Sequence, residues 1–212
     1  MKLNEKEALR YLGFRGKPAD ADTEEMIREI GGEMLRTLTP KCVYKRYDIK
    51  ILENAVELDG WRIESIKLSR HLRGCKAAYL FAATLGLQAD MMIRRLSALN
   101  MARGTVAHSV ANALIEDYCD EMQAQIAEKE AATGLFLKPR YSPGYSDFAL
   151  ESQKEIFARL ECAKRIGLTL TDTMLMVPFK SVTAVIGVTN APTCTYVKCR
   201  GCANTDCEFR EI

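Results

Sequence analysis

Along the first third of the chain the spacing of apolar positions changes period twice. Met26, Ile27, Ile30, Met34 and Leu38 recur every three or four residues, the stripe of an amphipathic helix. This predicts a helix from Asp22 to Leu38, opened by Asp22 and Glu25 at capping-box spacing and stopped by Pro40. The adjacent Gly31 and Gly32 mark a place where it can kink. From Tyr44 to Leu52 the period falls to two, with Tyr47, Ile49 and Ile51 alternating with Arg46, Asp48 and Lys50, as in a half-buried strand. Val56–Leu58, Asp59-Gly60 and Trp61–Ile63 spell a hairpin, because Asp-Gly readily takes the positive φ angles of a tight turn. Cys75–Thr84 is apolar almost throughout and bounded by Gly74 and Gly86, which predicts a strand buried on both faces.

Two helical patterns follow, Leu87–Asn100 and a long one from Arg103 to Thr133 that Gly134 stops. Beyond them come an extended piece at Leu135–Tyr141 and a helix from about Phe148 to Arg165, closed by Gly167. Strand-like runs at Leu168–Leu170, Met174–Val177 and Val182–Val188 complete the pattern, with Pro178 at an edge or turn. Strands and helices mix without a regular alternation, so the expected class is α+β: a mixed or antiparallel sheet packed with helices, one of them long, plus a small cysteine-rich C-terminal tail.

Charge narrows the possible functions. Thirty basic residues against 28 acidic leave a net charge of +2 over 212 residues, too even for a nucleic-acid binder and unfavourable to a zinc-ribbon role of that kind. The longest apolar run, Ala77–Leu87, is far short of the ~20 residues of a bilayer span. The opening MKLNEKEALR lacks the apolar core of a secretion signal. A soluble, cytoplasmic protein is expected, with thiols kept reduced.

The most informative short segment is Arg140-Tyr141-Ser142-Pro143-Gly144-Tyr145. Pro-Gly suits the centre of a type II turn and leaves the backbone bare at Gly144. Arg140 offers a fork for a carboxylate or phosphate, and Tyr141 and Tyr145 offer ring faces and hydroxyls. With the helix that follows and the Leu-Thr-x-x-x-Met-Leu-Met-Val-Pro-x-Lys-Ser-Val stretch, this segment resembles the activation domain of cobalamin-dependent methionine synthase, in a short, stand-alone form. The Cys75–Gly86 run resembles the same family's N-terminal half. The resemblance implies that Arg140 meets the carboxylate of S-adenosylmethionine and that Pro143, Gly144 and Tyr145 line the cofactor and the corrin edge. It departs at Ile186 and Gly187, where the family carries aromatic residues. The Asp-x-His-x-x-Gly cobalamin signature is also absent, so cobalamin would arrive on a partner. The implied role is reactivation: one electron, from a donor such as flavodoxin or ferredoxin, and the sulfonium methyl restore methylcobalamin from cob(II)alamin. The chain would then be the activation component of a methyltransferase, residues 1–190 forming the activation-domain-like part and 191–212 the tail.

The tail holds Cys194, Cys199, Cys202 and Cys207, four thiols within fourteen residues. They can close around one zinc ion or one iron–sulfur cluster, the spacing admitting both. This supports a second reading, a non-catalytic metal- or cluster-binding adaptor for a corrinoid protein. Cys42, Cys75, Cys119 and Cys162 stand singly among apolar residues and are expected in the core. The two histidines, His71 and His108, lack a metal-binding pattern. Glu116, Asp117, Asp120 and Glu121 read as a solvated helix face, and Arg94, Arg95 and Arg103 as surface cations. Lys180-Ser181 is placed to face a ligand pocket as readily as solvent.

Overall fold

A computed structural model describes residues 1–190. Helices α1 (Glu5–Tyr11) and α2 (Ala21–Thr37) precede a long strand, β1 (Lys41–Ile51), and the hairpin β2 (Ala55–Leu58) and β3 (Trp61–Glu64). A short helix α3 (Ile66–His71) leads into β4 (Cys75–Thr84). The helical hairpin α4 (Leu87–Leu99) and α5 (Met101–Ala131) follows, then a two-residue strand β5 (Phe136–Leu137). A 3₁₀ turn at Leu150–Ser152, α6 (Gln153–Leu160) and α7 (Cys162–Ile166) precede the small β6 (Thr169–Leu170), β7 (Met176–Val177) and the last strand β8 (Ser181–Thr189). The expected α+β class holds: a six-stranded antiparallel sheet ordered β3-β2-β1-β4-β8-β5.

β4 sits at the centre and is buried on both faces, as its apolar run requires. Ala77, Tyr79, Phe81 and Ala83 join Ala184, Ile186 and Val188 of β8 in the core beneath α1, α2, α4 and α5. Ala78, Leu80 and Ala82 point the other way, with Val185, into a second core closed by the β2–β3 hairpin, α3, α6 and α7. The alternation follows from the two-residue strand period. Where α5 approaches α4, a side chain at Gly104 would stand 2.7 Å from the Ser97 backbone, so only glycine permits this crossing.

Several local expectations hold. Asp59 and Gly60 take φ values of 47° and 77°, the two positive angles of a type I′ turn. Three differ. Asp20, not Asp22, caps α2, its carboxylate accepting the Thr23 amide at 2.8 Å, because the chain is already helical at Ala21, well ahead of the apolar stripe that begins at Met26. α2 runs unbroken through Gly31 and Gly32. A Cβ at Gly31 would run into the tip of the Leu3 side chain, which packs against α2 at that point. The helix expected from Phe148 to Arg165 is two helices, broken where Glu161 takes a φ of 51°. Among the described residues no helix is long and apolar enough to cross a membrane.

Candidate functional site

β5 covers one end of β8, and the chain then follows the same edge. Lys138 donates its amide to the Gly187 carbonyl at 2.8 Å, and Tyr141 exchanges two backbone hydrogen bonds with Val185 at 2.9 and 2.8 Å. At Ser142 it turns away. Tyr145 N–H donates to the Ser142 carbonyl at 3.2 Å and Gly144 has a φ of 91°. This is the geometry of a type II turn with glycine at its third position. Among the described residues no strand pairs with Ser181–Ala184 on that edge. The turn therefore stands beside a stretch of β8 that no strand pairs, in which Ser181 and Val182 are partly exposed and Thr183 and Ala184 are buried.

The turn is fixed from below. Pro143 is buried, and the Gly144 amide donates to the Phe148 carbonyl at 2.7 Å. Asp147 accepts from Ser65 Oγ at 2.6 Å and from the Ile66 and Lys67 amides at 2.8 and 3.2 Å, tying the loop to the first turn of α3. These bonds hold its carboxyl below the ordinary carboxylate range, the Ser65 hydroxyl contributing most. Tyr141 packs between His71, at 5.0 Å between ring centroids, and Phe148, at 6.2 Å. Tyr145, 6.2 Å from Tyr141, is 64% exposed. The His71 ring is held by the Pro139 carbonyl at 3.0 Å, and burial lowers its pKa.

Arg140 points to the other side of the sheet edge, toward α5. Its guanidinium donates to Gln123 Oε1 at 3.0 Å, Glu116 Oε2 at 3.1 Å and Asp120 Oδ1 at 2.6 Å. Only 10% of the side chain is exposed. Two carboxylates and one amide oxygen already bond Arg140, so a ligand carboxylate would reach it only by taking the place of one of them. The same contacts correct the reading of the α5 acids as merely solvated. Glu116, Asp120 and Gln123 lie at i, i+4 and i+7, one face of a helix, while Asp117 accepts the backbone amide of Lys2 at 2.5 Å. That spacing of polar residues on one face of α5 is the signal that the sequence offers for the cluster. Arg95 and Arg103 are likewise paired, with Glu33 at 2.6 Å and Glu29 at 2.8 Å of α2.

Lys180 and Ser181 face a cleft of about 270 Å³, bounded on α5 by Asn112 and Glu116 and on α1 by Tyr11. Glu116 therefore belongs both to this cleft and to the Arg140 cluster. Ile186, by contrast, is fully buried under α5. A Cβ at Gly187 would come within 2.7 Å of both the Cys75 sulfur and the Leu72 side chain. The space that an aromatic residue would need there is filled by the protein itself.

Among the described residues no group of three or more His, Cys, Asp or Glu side chains is arranged to hold a metal. Cys75, Cys119 and Cys162 are buried and Cys42 half-buried. Burial pushes the Cys42 and Cys162 thiols up to about 12, so they behave as core residues. The expected ligands Cys194, Cys199, Cys202 and Cys207 lie outside the described residues.

A family model described as the activation domain of vitamin B12-dependent methionine synthase matches residues 69–208. Among solved structures, the chain is similar to a crystal structure of the MetH reactivation domain bound to AdoHcy. That similarity has a TM-score of 0.61 and 16% sequence identity, over 88% of this chain and 77% of that one. At this identity the likeness is one of fold. A comparison with curated protein sequences gave no match.

Proposed function

The chain belongs to the activation-domain family of vitamin B12-dependent methionine synthase, and we propose on that premise that it binds S-adenosylmethionine and supports reductive methylation of a cobalamin carried by a partner synthase. The observation that carries this reading is the Pro143-Gly144 turn, pinned by Asp147 and standing beside the partly exposed Ser181 and Val182 of β8, which no described strand pairs on that side. Gly144 presents bare backbone there, and the exposed Tyr145 ring offers a face for an adenine.

The charge of the site suits this ligand. S-adenosylmethionine carries a sulfonium and an ammonium against one carboxylate. Two carboxylates, Glu116 and Asp120, stand against one guanidinium at Arg140. A ligand carboxylate reaching Arg140 would take the place of an acid now bonded to it, and its cationic groups would take up the released charge. The partner's cobalamin would supply the metal chemistry, with one electron from a donor such as flavodoxin or ferredoxin and the sulfonium methyl turning cob(II)alamin into methylcobalamin and leaving S-adenosylhomocysteine. The contribution of this chain's residues is orientation: holding the methyl donor in one pose converts an encounter into a positioned transfer.

Calorimetric titration with S-adenosylmethionine and S-adenosylhomocysteine tests the reading. Saturable binding that Gly144→Val abolishes is expected, since valine meets an unfavourable φ and a would-be Cβ lies 3.4 Å from the Leu150 side chain. No binding by the intact chain would refute it. If such a non-binding chain retained zinc or iron on its cysteines, the metal-binding adaptor would replace it. Appearance of the methylcobalamin spectrum in a reduced mixture with cobalamin-loaded synthase would extend the result to the full reaction.

A further inference from the structure

Several arginines of this chain have carboxylate partners: Arg62 with Glu64 at 2.6 Å, Arg95 with Glu33 at 2.6 Å, Arg103 with Glu29 at 2.8 Å and Arg159 with Asp59 at 3.1 Å. The segment around α3 is different. Lys67, Arg70, Arg73 and Lys76 are all exposed, and among the described residues none of them forms an ion pair. Residues 65–76 contain no acid. The acids that border the segment are engaged: Glu64 is bonded to Arg62, and Asp147 accepts from Ser65 Oγ and from the Ile66 and Lys67 amides.

The fold fixes where these charges stand. Leu68 and Leu72 are fully buried and anchor α3. The Arg73 amide donates to the Arg70 carbonyl at 3.3 Å, which carries the turn past His71. Lys67, Arg70 and Arg73 thus recur at three-residue spacing on the side away from the buried leucines. The carbonyls at the end of α3 are served by another cation, Lys138, whose ammonium donates to the His71 and Arg73 oxygens at 2.7 and 2.8 Å. The exposed cations are left with no such duty.

Two observations select the partner. Within residues 65–76, Ile66 is the large apolar side chain that is exposed, too little apolar surface for the core of a permanent interface. Transient electron-transfer encounters use small polar contacts and electrostatic steering instead. The strip also adjoins the Pro143-Gly144 turn, because Asp147 ties that loop to the first turn of α3 and His71 packs on Tyr141 at 5.0 Å. A net charge of +2 is unfavourable to a nucleic acid.

We propose that this basic strip is the docking surface for an acidic one-electron donor protein, which it steers to the side of the Pro143-Gly144 turn. The inference rests on the function proposed above, in which one electron must come from outside. The donor loses that electron, the partner's cob(II)alamin gains it, and transfer of the sulfonium methyl leaves methylcobalamin and S-adenosylhomocysteine.

The test is titration of the nitrogen-15-labelled full chain with an acidic flavodoxin and, separately, with an acidic ferredoxin. Amides between Ile66 and Lys76 should shift with at least one of them, and its affinity should fall at least about tenfold between about 20 and about 300 mM salt. The triple substitution Arg70→Glu, Arg73→Glu and Lys76→Glu should weaken binding by a similar factor. Arg36→Glu, Arg94→Glu and Arg165→Glu together make the same change in net charge at exposed arginines elsewhere, and should leave most of the binding intact. Thermal melts report whether both variants fold; if the first does not, the shifts and salt dependence of the unmodified chain decide. A parallel titration with S-adenosylhomocysteine separates the two readings: a chain that binds the donor but not this ligand keeps the strip and loses the ligand site. The proposal is overturned if neither donor moves these amides, if binding is indifferent to salt, if both triple variants lose it equally, or if a short DNA duplex binds the strip as tightly as the donors.

Discussion

Arg140 shows how a residue legible as a binding group acquires a structural duty once its neighbours are seen. Its side chain is 10% exposed and holds Gln123, Glu116 and Asp120 together. Arg140→Met should therefore lower stability by about 2 kcal/mol, since it leaves two carboxylates facing each other without a cation. A thermal melt should show the midpoint falling by roughly 4–8 °C for a chain of this size, with Asp120→Asn recovering part of the loss. Asp147 has the complementary duty of fixing the turn. Because its carboxyl titrates below the ordinary value, the stabilisation it gives is complete above about pH 4 and disappears as pH falls through the lower folded value. Asp147→Asn should then melt below the parent at pH 7, the gap closing towards pH 2. None of these pairings was readable in sequence. Asp147 and Ser65 are 82 residues apart and Arg140 and Asp120 are 20 apart, and only the fold brings them together.

At the scale of elements, local periodicity carried most of the reading. The Asp59-Gly60 turn, the doubly buried β4 and the long α5 are each determined by residues close in sequence, so their patterns were sufficient. What failed was decided by tertiary contact. Glu161 breaks the expected helix in a left-handed conformation that no glycine announces, because Cys162 and Ile166 must reach the core beside Leu160. The character of β8 was also hidden. Gly187 stands where the family carries an aromatic residue, and the Leu72 and Cys75 side chains fill the space beside it. Gly187→Val should destabilise the chain by about 1–3 kcal/mol through overpacking, measured by urea unfolding. A neutral or stabilising result would show that this seam between α3 and β8 can open.

For the whole molecule, a two-faced sheet separates two sets of polar groups, the Pro-Gly turn with its aromatic neighbours on one side and the Lys180 cleft on the other. We further propose that the cysteines beyond residue 190 bind one metal centre. Anaerobic purification with metal analysis should find one zinc ion, or iron with acid-labile sulfide, and Cys202→Ser should lose it. Ready alkylation of all four tail thiols in a metal-free native chain would refute this. One feature of the sheet bears on behaviour in concentrated solution. Among the described residues the Ser181–Ala184 stretch of β8 has no strand on its outer side, but Thr183 and Ala184 are buried, so only Ser181 and Val182 leave a short edge on which another chain can add a strand. The opening beside which the proposed ligand would lie thus also invites self-association on heating. Occupancy should close both routes at once, so light scattering during a slow temperature ramp should begin later with S-adenosylhomocysteine present, by more than the shift in unfolding midpoint explains.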